Sequence, residues 1–177
     1  MIQIVCILIP LVAMTIFTHP LMKLCSSRHS KWLIWSLFAV YLFGNLYFTL
    51  LSRELGSGQY FELLPFRVYS RLFESQSLGV ESATGFAAMF LQGTLPITSL
   101  ILNIFLYYPL GYLLPILFPK LNIWHVILIG CLCSIATEAT QYLLKMGWCE
   151  TDDVIHNTLG NAIGVWVWHL QSKRLNK

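Results

Sequence analysis

The chain has 177 residues, 56% of them hydrophobic and only 11% charged, with a mean hydropathy of +0.67 and a formal net charge of +3. Soluble domains carry roughly a quarter charged residues. A water-soluble core is therefore excluded, and an integral membrane protein forming a single domain over residues 1–177 is expected.

Uncharged runs near the roughly 20 residues that cross a bilayer occur five times. In chain order they are Ile2–Met22, Trp32–Leu51, Thr98–Phe118, Ile123–Leu144 and Val154–Leu170. The first lacks a basic leader and a small-residue cleavage site, so it reads as a mature helix ending or kinking near His19-Pro20. The last is the shortest and least apolar. All five runs are continuous rather than alternating, which argues against a membrane barrel. The predicted fold is all-α, a polytopic bundle of about five transmembrane helices with a long outer loop between the second and third. That loop, Arg53 to Ile97, is too polar for a full span, while "FAAMFLQG" within it suits a short interfacial or re-entrant helix.

Orientation follows from the basic residues. Lys23, Arg28 and Lys31 lie between the first two runs, Lys120 between the third and fourth, and Lys173, Arg174 and Lys177 after the fifth. These segments alternate, so all can be cytoplasmic together, with the N-terminus outside and the C-terminus inside. The acids were not used in that assignment, and they fall on the other side: the inner set holds seven basic and no acidic residues, the outer four basic and eight acidic, and +7 − 4 returns the +3. The basic balance is thus a topology signal, and no nucleic-acid partner is expected. Cys131 and Cys133 are two apart and diverge on a helix, which makes them packing residues rather than a metal pair.

Polar side chains inside a bilayer are costly and so mark function. Glu138, in "SIATEATQYLL", lies roughly 9 Å below the outer end of its helix, with Gln141 and Ser134 on the same face. The fifth run begins "ETDDVIHNTLGNAIG". A carboxylate at its start suits a helix N-terminus, yet three acids, Glu150, Asp152 and Asp153, repel one another and need another reason. Asp153, Asn157 and Asn161 repeat every four residues beside Gly160 and Gly164, whose lack of side chains permits close helix approach. His156 lies off that stripe and reads as a packed histidine. Asn103 sits in "LNIFLYYPLGYLLP", where Pro109 and Pro115 free carbonyls that need partners. Arg53, at the outer end of the second run, is a candidate counter-ion for Glu138 or Asp153. Polar residues of four helices thus converge on one depth, and a shared site is the inference.

At these residues the chain resembles the VanZ-like family. The matching pieces occur in order: Arg53, "LLPF" at Leu63–Phe66, "LNIFLYYPLGYLLP", "SIATEATQY" and "ETDDVIHNTLGNAIG", from about residue 53 to 165. The resemblance implies family positions at Arg53, Asn103, Pro109, Gly111, Glu138, Gln141, Asp152, Asp153, Asn157 and Gly160. The chain departs from the pattern in carrying Glu150 where an aspartate is usual, and only Lys145 where an arginine often precedes it. The family's founding member is associated with low-level resistance to the lipoglycopeptide teicoplanin. No reaction or cofactor comes with that association, and the cofactors of this chain are unknown.

Three functions fit these residues. The first is a membrane factor whose outer cluster of Arg53, Asn103, Glu138, Gln141, Asp152, Asp153 and Asn157 binds a lipid-linked cell-wall precursor or a lipoglycopeptide. The alternative is an enzyme acting on envelope lipid or peptidoglycan precursor through its carboxylates, although no phosphate loop, nucleophile–His pair or zinc spacing is present. A transporter with Glu138 as relay is the third, disfavoured by five spans without a repeat. Against all three stands a cluster that merely holds the helices together.

Overall fold

The computed structural model describes residues 28–66 and 96–175. The first apolar run and "FAAMFLQG" lie outside the described residues. In chain order come helix α1 (Arg28–Leu46), continued by one π-helical turn (Tyr47–Leu51), strand β1 (Gly58–Glu62), helix α2 (Pro96–Leu117), helix α3 (Ile123–Leu143), strand β2 (Met146–Glu150) and helix α4 (Thr151–Leu175).

Three of the described helices are long and apolar enough to cross a membrane, over Lys31–Leu51, Ser99–Leu117 and Ile123–Leu143. They coincide with the second, third and fourth runs. The fifth run does form a helix, longer than predicted, but it falls outside that apolar set because polar residues interrupt it. Its place in the fold supplies the reason. Helix α4 packs against both α2 and α3, with α2–α4 the most extensive contact between described elements. Gly111, Gly160 and Gly164 make that approach feasible. A Cβ on Gly160 would stand 2.0 Å from the carbonyl oxygen of Ile104, and one on Gly111 would stand 1.9 Å from that of Asn161.

The molecule is apolar outside and polar within. Trp32, Val40, Phe43, Trp124 and Trp166 are exposed, while Ser134, Glu138, Gln141, Asn157 and Asn161 are buried. Water would penalise that exterior, whereas lipid suits it, since buried polar groups then find partners inside the bundle.

Helix α3 begins where the Asn122 side chain accepts the His125 backbone N–H at 2.9 Å. It ends where Lys145 takes a left-handed φ of 54°. Helix α2 continues through Pro109 and Pro115. Proline loosens the turn before it, and the Leu106 carbonyl in that turn accepts a hydrogen bond from Tyr41 Oη on α1 at 2.9 Å. That bond ties α1 to α2 in the turn before Pro109, while the carbonyl that loses its helical donor to Pro109 is the next one back, that of Phe105.

One expectation needs correction. The fold is mostly helical rather than all-α, because β1 and β2 form a two-stranded parallel sheet in which Gly58 pairs with Met146 and Glu62 with Glu150. Tyr60 stacks on its partner Trp148 with ring centroids 4.8 Å apart. Five-residue strands are too short to show a period, and the pairing joins segments with two of the described helices between them, which local pattern does not reveal.

Trp35 meets Phe118 edge-on at 5.6 Å, and Tyr112 Oη donates to Gln171 at 2.7 Å. These contacts bring the start of α1 and the ends of α2 and α4 together, so Lys31, Lys120 and Lys173 share one end of the bundle. The sheet and the acids occupy the other.

Candidate functional site

Of the three acids around the start of α4, Asp153 and Asp152 direct their carboxylates to different elements, and Glu150 meets α3 through its backbone. Asp153 Oδ1 accepts from Asn103 Nδ2 of α2 at 2.6 Å. Asp152, which is buried, accepts the backbone N–H of Phe66, just beyond β1, at 2.5 Å. Glu150 ends β2 and gives its backbone N–H to Glu138 Oε2 of α3 at 3.1 Å. The repulsion between Asp152 and Asp153 is offset by the bonds their carboxylates accept and, in the first turn of α4, by the positive end of the helix dipole. Thr151 adds a hydroxyl bond to the Glu62 carbonyl at 3.3 Å. The sheet is thereby pinned to the head of α4.

Glu138 is 5% exposed, so its carboxyl group lies inside the bundle. It is within electrostatic range of Asp153, Glu150 and Arg53, and Arg53 acts on Asp153 as well. Arg53 is itself exposed and donates through Nη1 to the Met146 carbonyl at 3.4 Å. Its guanidinium lies against the start of β2, within electrostatic range of both Glu138 and Asp153. Lys145, the alternative cation, is exposed at the end of α3.

Beneath the acids the α3–α4 seam is a ladder of amides. Asn157 Nδ2 donates to Ser134 Oγ at 2.8 Å, one turn below Asp153 and Glu138 respectively. Asn161, a further turn down, donates to the Val126 carbonyl at 2.9 Å, and a Cβ on Gly130 would meet its side chain at 2.3 Å. Gln141, on the other side of Glu138, donates to the Thr49 carbonyl at 2.8 Å. Thr49 belongs to the π-helical turn, where the altered ladder leaves a carbonyl available.

Of the residues singled out from sequence, Arg53, Asn103, Glu138 and Asp153 come together at one end of the bundle, with Asn157 directly below. Gln141 faces the end of α1, and Asp152 faces the segment after β1. His156 is buried, in keeping with a packed histidine. Sequence reading missed Tyr41, Thr49 and Tyr107. Tyr107 is buried, with Oη 3.3 Å from Thr137 Oγ1. Tyrosines inside "LYYPLGY" look like ordinary apolar bulk, and a carbonyl acceptor such as that of Thr49 carries no side-chain signal.

Cys149, on β2, lies beside the acids. Burial, and then the neighbouring Glu138 carboxylate, push its pKa up to about 11. It is therefore a neutral thiol at neutral pH and a poor nucleophile. Among the described residues, no three His, Cys, Asp or Glu side chains are arranged to hold a metal ion.

A helical bundle with an apolar exterior, an internal polar seam and its acids gathered at one end is a polytopic membrane protein. The sequence model of the VanZ/LLP1 family matches residues 34–172, and the chain belongs to that family. It is also similar to Protein VanZ of Enterococcus faecium, 27% identical over 75 residues. That match covers 42% of this chain and 47% of the enterococcal protein, so it spans about half of that relative's length. No solved structure matches.

Proposed function

We propose that this protein is a plasma-membrane factor of the cell envelope that binds an amphiphilic ligand at its outer polar cluster. The ligand is a lipid-linked cell-wall precursor or a lipoglycopeptide, and capturing it lowers susceptibility to glycopeptides such as teicoplanin. The N-terminus lies outside and the C-terminus in the cytoplasm, which places the cluster at outer-leaflet depth.

The observation that carries this reading is the convergence of Glu138, Asp153 and Arg53, from α3, α4 and the segment after α1, with Asp153 held by Asn103 of α2. Two acids sharing a buried site oppose burial of charge, and helix packing alone is served by the Asn–Ser and glycine contacts lower in the seam. A headgroup entering sideways from the leaflet, its tail remaining in lipid, would meet this cluster. Family membership supports the link to glycopeptide resistance.

The test uses purified full-length chain with teicoplanin and with a lipid-linked precursor as probes, beside Asp153→Asn and Glu138→Gln. Saturable binding of either probe, weakened by both substitutions, is expected. Absence of saturable binding to both would remove the reading.

A further inference from the structure

We propose that the outer cluster selects a primary ammonium group, presented by a zwitterionic lipid headgroup or by a free amine. The proposal rests on the cluster being a ligand site and adds the chemistry of what it takes. It follows from which way the polar groups face.

Consider the donors first. Gln141 turns its amide nitrogen to the Thr49 carbonyl, which accepts and never donates, so Oε1 is the atom left over. Gln141 is 2% exposed, and among the described residues Oε1 has no hydrogen-bond partner. Asn157, 3% exposed, gives its nitrogen to Ser134 and likewise leaves Oδ1 unpartnered. Asn103 gives its nitrogen to Asp153. All three amides direct their N–H groups to the protein.

The acceptors remain. Glu138 takes the Glu150 N–H and meets the Cys149 thiol, and Asp153 takes the Asn103 N–H, which still leaves carboxylate lone pairs over. Gln141 lies three residues after Glu138 on the same face of α3, and Asn157 lies one turn below Asp153 on α4. The two unpartnered amide oxygens thus belong to residues about one turn from each acid along its own helix, Gln141 on α3 and Asn157 on α4. Buried acceptors without donors are costly, and a ligand bringing N–H groups and positive charge relieves both deficits.

A primary ammonium brings three N–H donors and one positive charge in a compact group. A phosphate brings only acceptors and negative charge, and would face carboxylates. The phosphate of a zwitterionic headgroup does have a partner, Arg53, which is exposed. Ammonium inward and phosphate outward thus match the order of charges from Glu138 and Asp153 to Arg53. A trimethylammonium has the same charge but no N–H, so it separates hydrogen bonding from charge alone.

The experiment reconstitutes the full chain in nanodiscs of equal parts phosphatidylethanolamine, phosphatidylcholine and phosphatidylglycerol, then weighs the lipids that stay bound by native mass spectrometry. Retention of phosphatidylethanolamine over phosphatidylcholine by about tenfold is expected, the scale of one charge-assisted hydrogen bond. Asp153→Asn and Glu138→Gln each keep an oxygen for their protein partner, and each should reduce that preference while membrane level and melting midpoint hold. Displacement by soluble phosphoethanolamine identifies the site as open to a free amine; retention against it identifies the lipid-borne group. Equal retention of phosphatidylcholine, or a preference untouched by both substitutions, overturns the proposal. Retention of phosphatidylglycerol that depends on Asp153 would overturn amine selectivity while leaving a ligand site. No retention dependent on either acid would remove both.

Discussion

A side-chain amide that meets a backbone carbonyl has one way to face, and Gln141 is held in that way by Thr49. Replacing Gln141 with Leu leaves the Thr49 carbonyl buried and unpartnered, which should cost about 1 kcal/mol, the scale of a hydrogen bond between membrane helices. A lower melting midpoint in detergent, with the fold otherwise retained, is the expected result. An unchanged midpoint would show that this contact holds nothing. At this scale the sequence was informative about which residues matter and silent about whom they meet. Glu138, Asp153 and Asn103 were legible because each is costly in an apolar run. Their partners, a Glu150 N–H for Glu138 and the bond that joins Asn103 to Asp153 across two helices, like the π-turn carbonyl met by Gln141, include backbone atoms and contacts distant in the chain. Asp152, which the sequence sets beside the other acids, accepts the Phe66 N–H, a backbone partner that no pattern in the sequence marks.

Elements are held together chiefly where α4 lies against α2. Gly160 and Gly111 have neighbouring carbonyl oxygens within about one covalent-bond length of normal contact, so a methyl group at either forces the helices apart. Gly160→Ala and Gly111→Ala should each destabilise the fold by about 1–3 kcal/mol or more through overpacking. Gly44→Ala, where a Cβ would meet nothing within 4 Å, should stay within about 0.5 kcal/mol of the parent. Thermal unfolding of the three variants checks this, and equal midpoints would contradict it. Helix positions were readable from hydropathy to within a few residues, and the α4 start at Thr151 from its acids and following apolar run. The sheet was not readable. Its strands are short, its pairing is parallel and non-local, and the Tyr60–Trp148 stack that marks it joins residues far apart in the chain.

For the whole molecule, charge separates along the bundle axis, Lys31, Lys120 and Lys173 at one end and Glu62, Glu150, Asp152 and Asp153 at the other. In the proposed orientation, which follows the positive-inside rule, the lysine end faces the cytoplasm. In a cysteine-free background, Cys at Glu62 should react with a membrane-impermeant maleimide in intact cells, and Cys at Lys120 only after permeabilisation. The reverse pattern would put the polar cluster on the cytoplasmic side and remove the outer-leaflet ligand.

The central claim is that the acids at that end act on a ligand and are not merely part of the scaffold. Its most direct test measures membrane level and teicoplanin protection together, in the same cells, for Asp153→Asn and Glu138→Gln. The account predicts protein levels close to the parent's and protection lost in both. Protection that falls only as far as the protein level falls, or that persists in full, would contradict it.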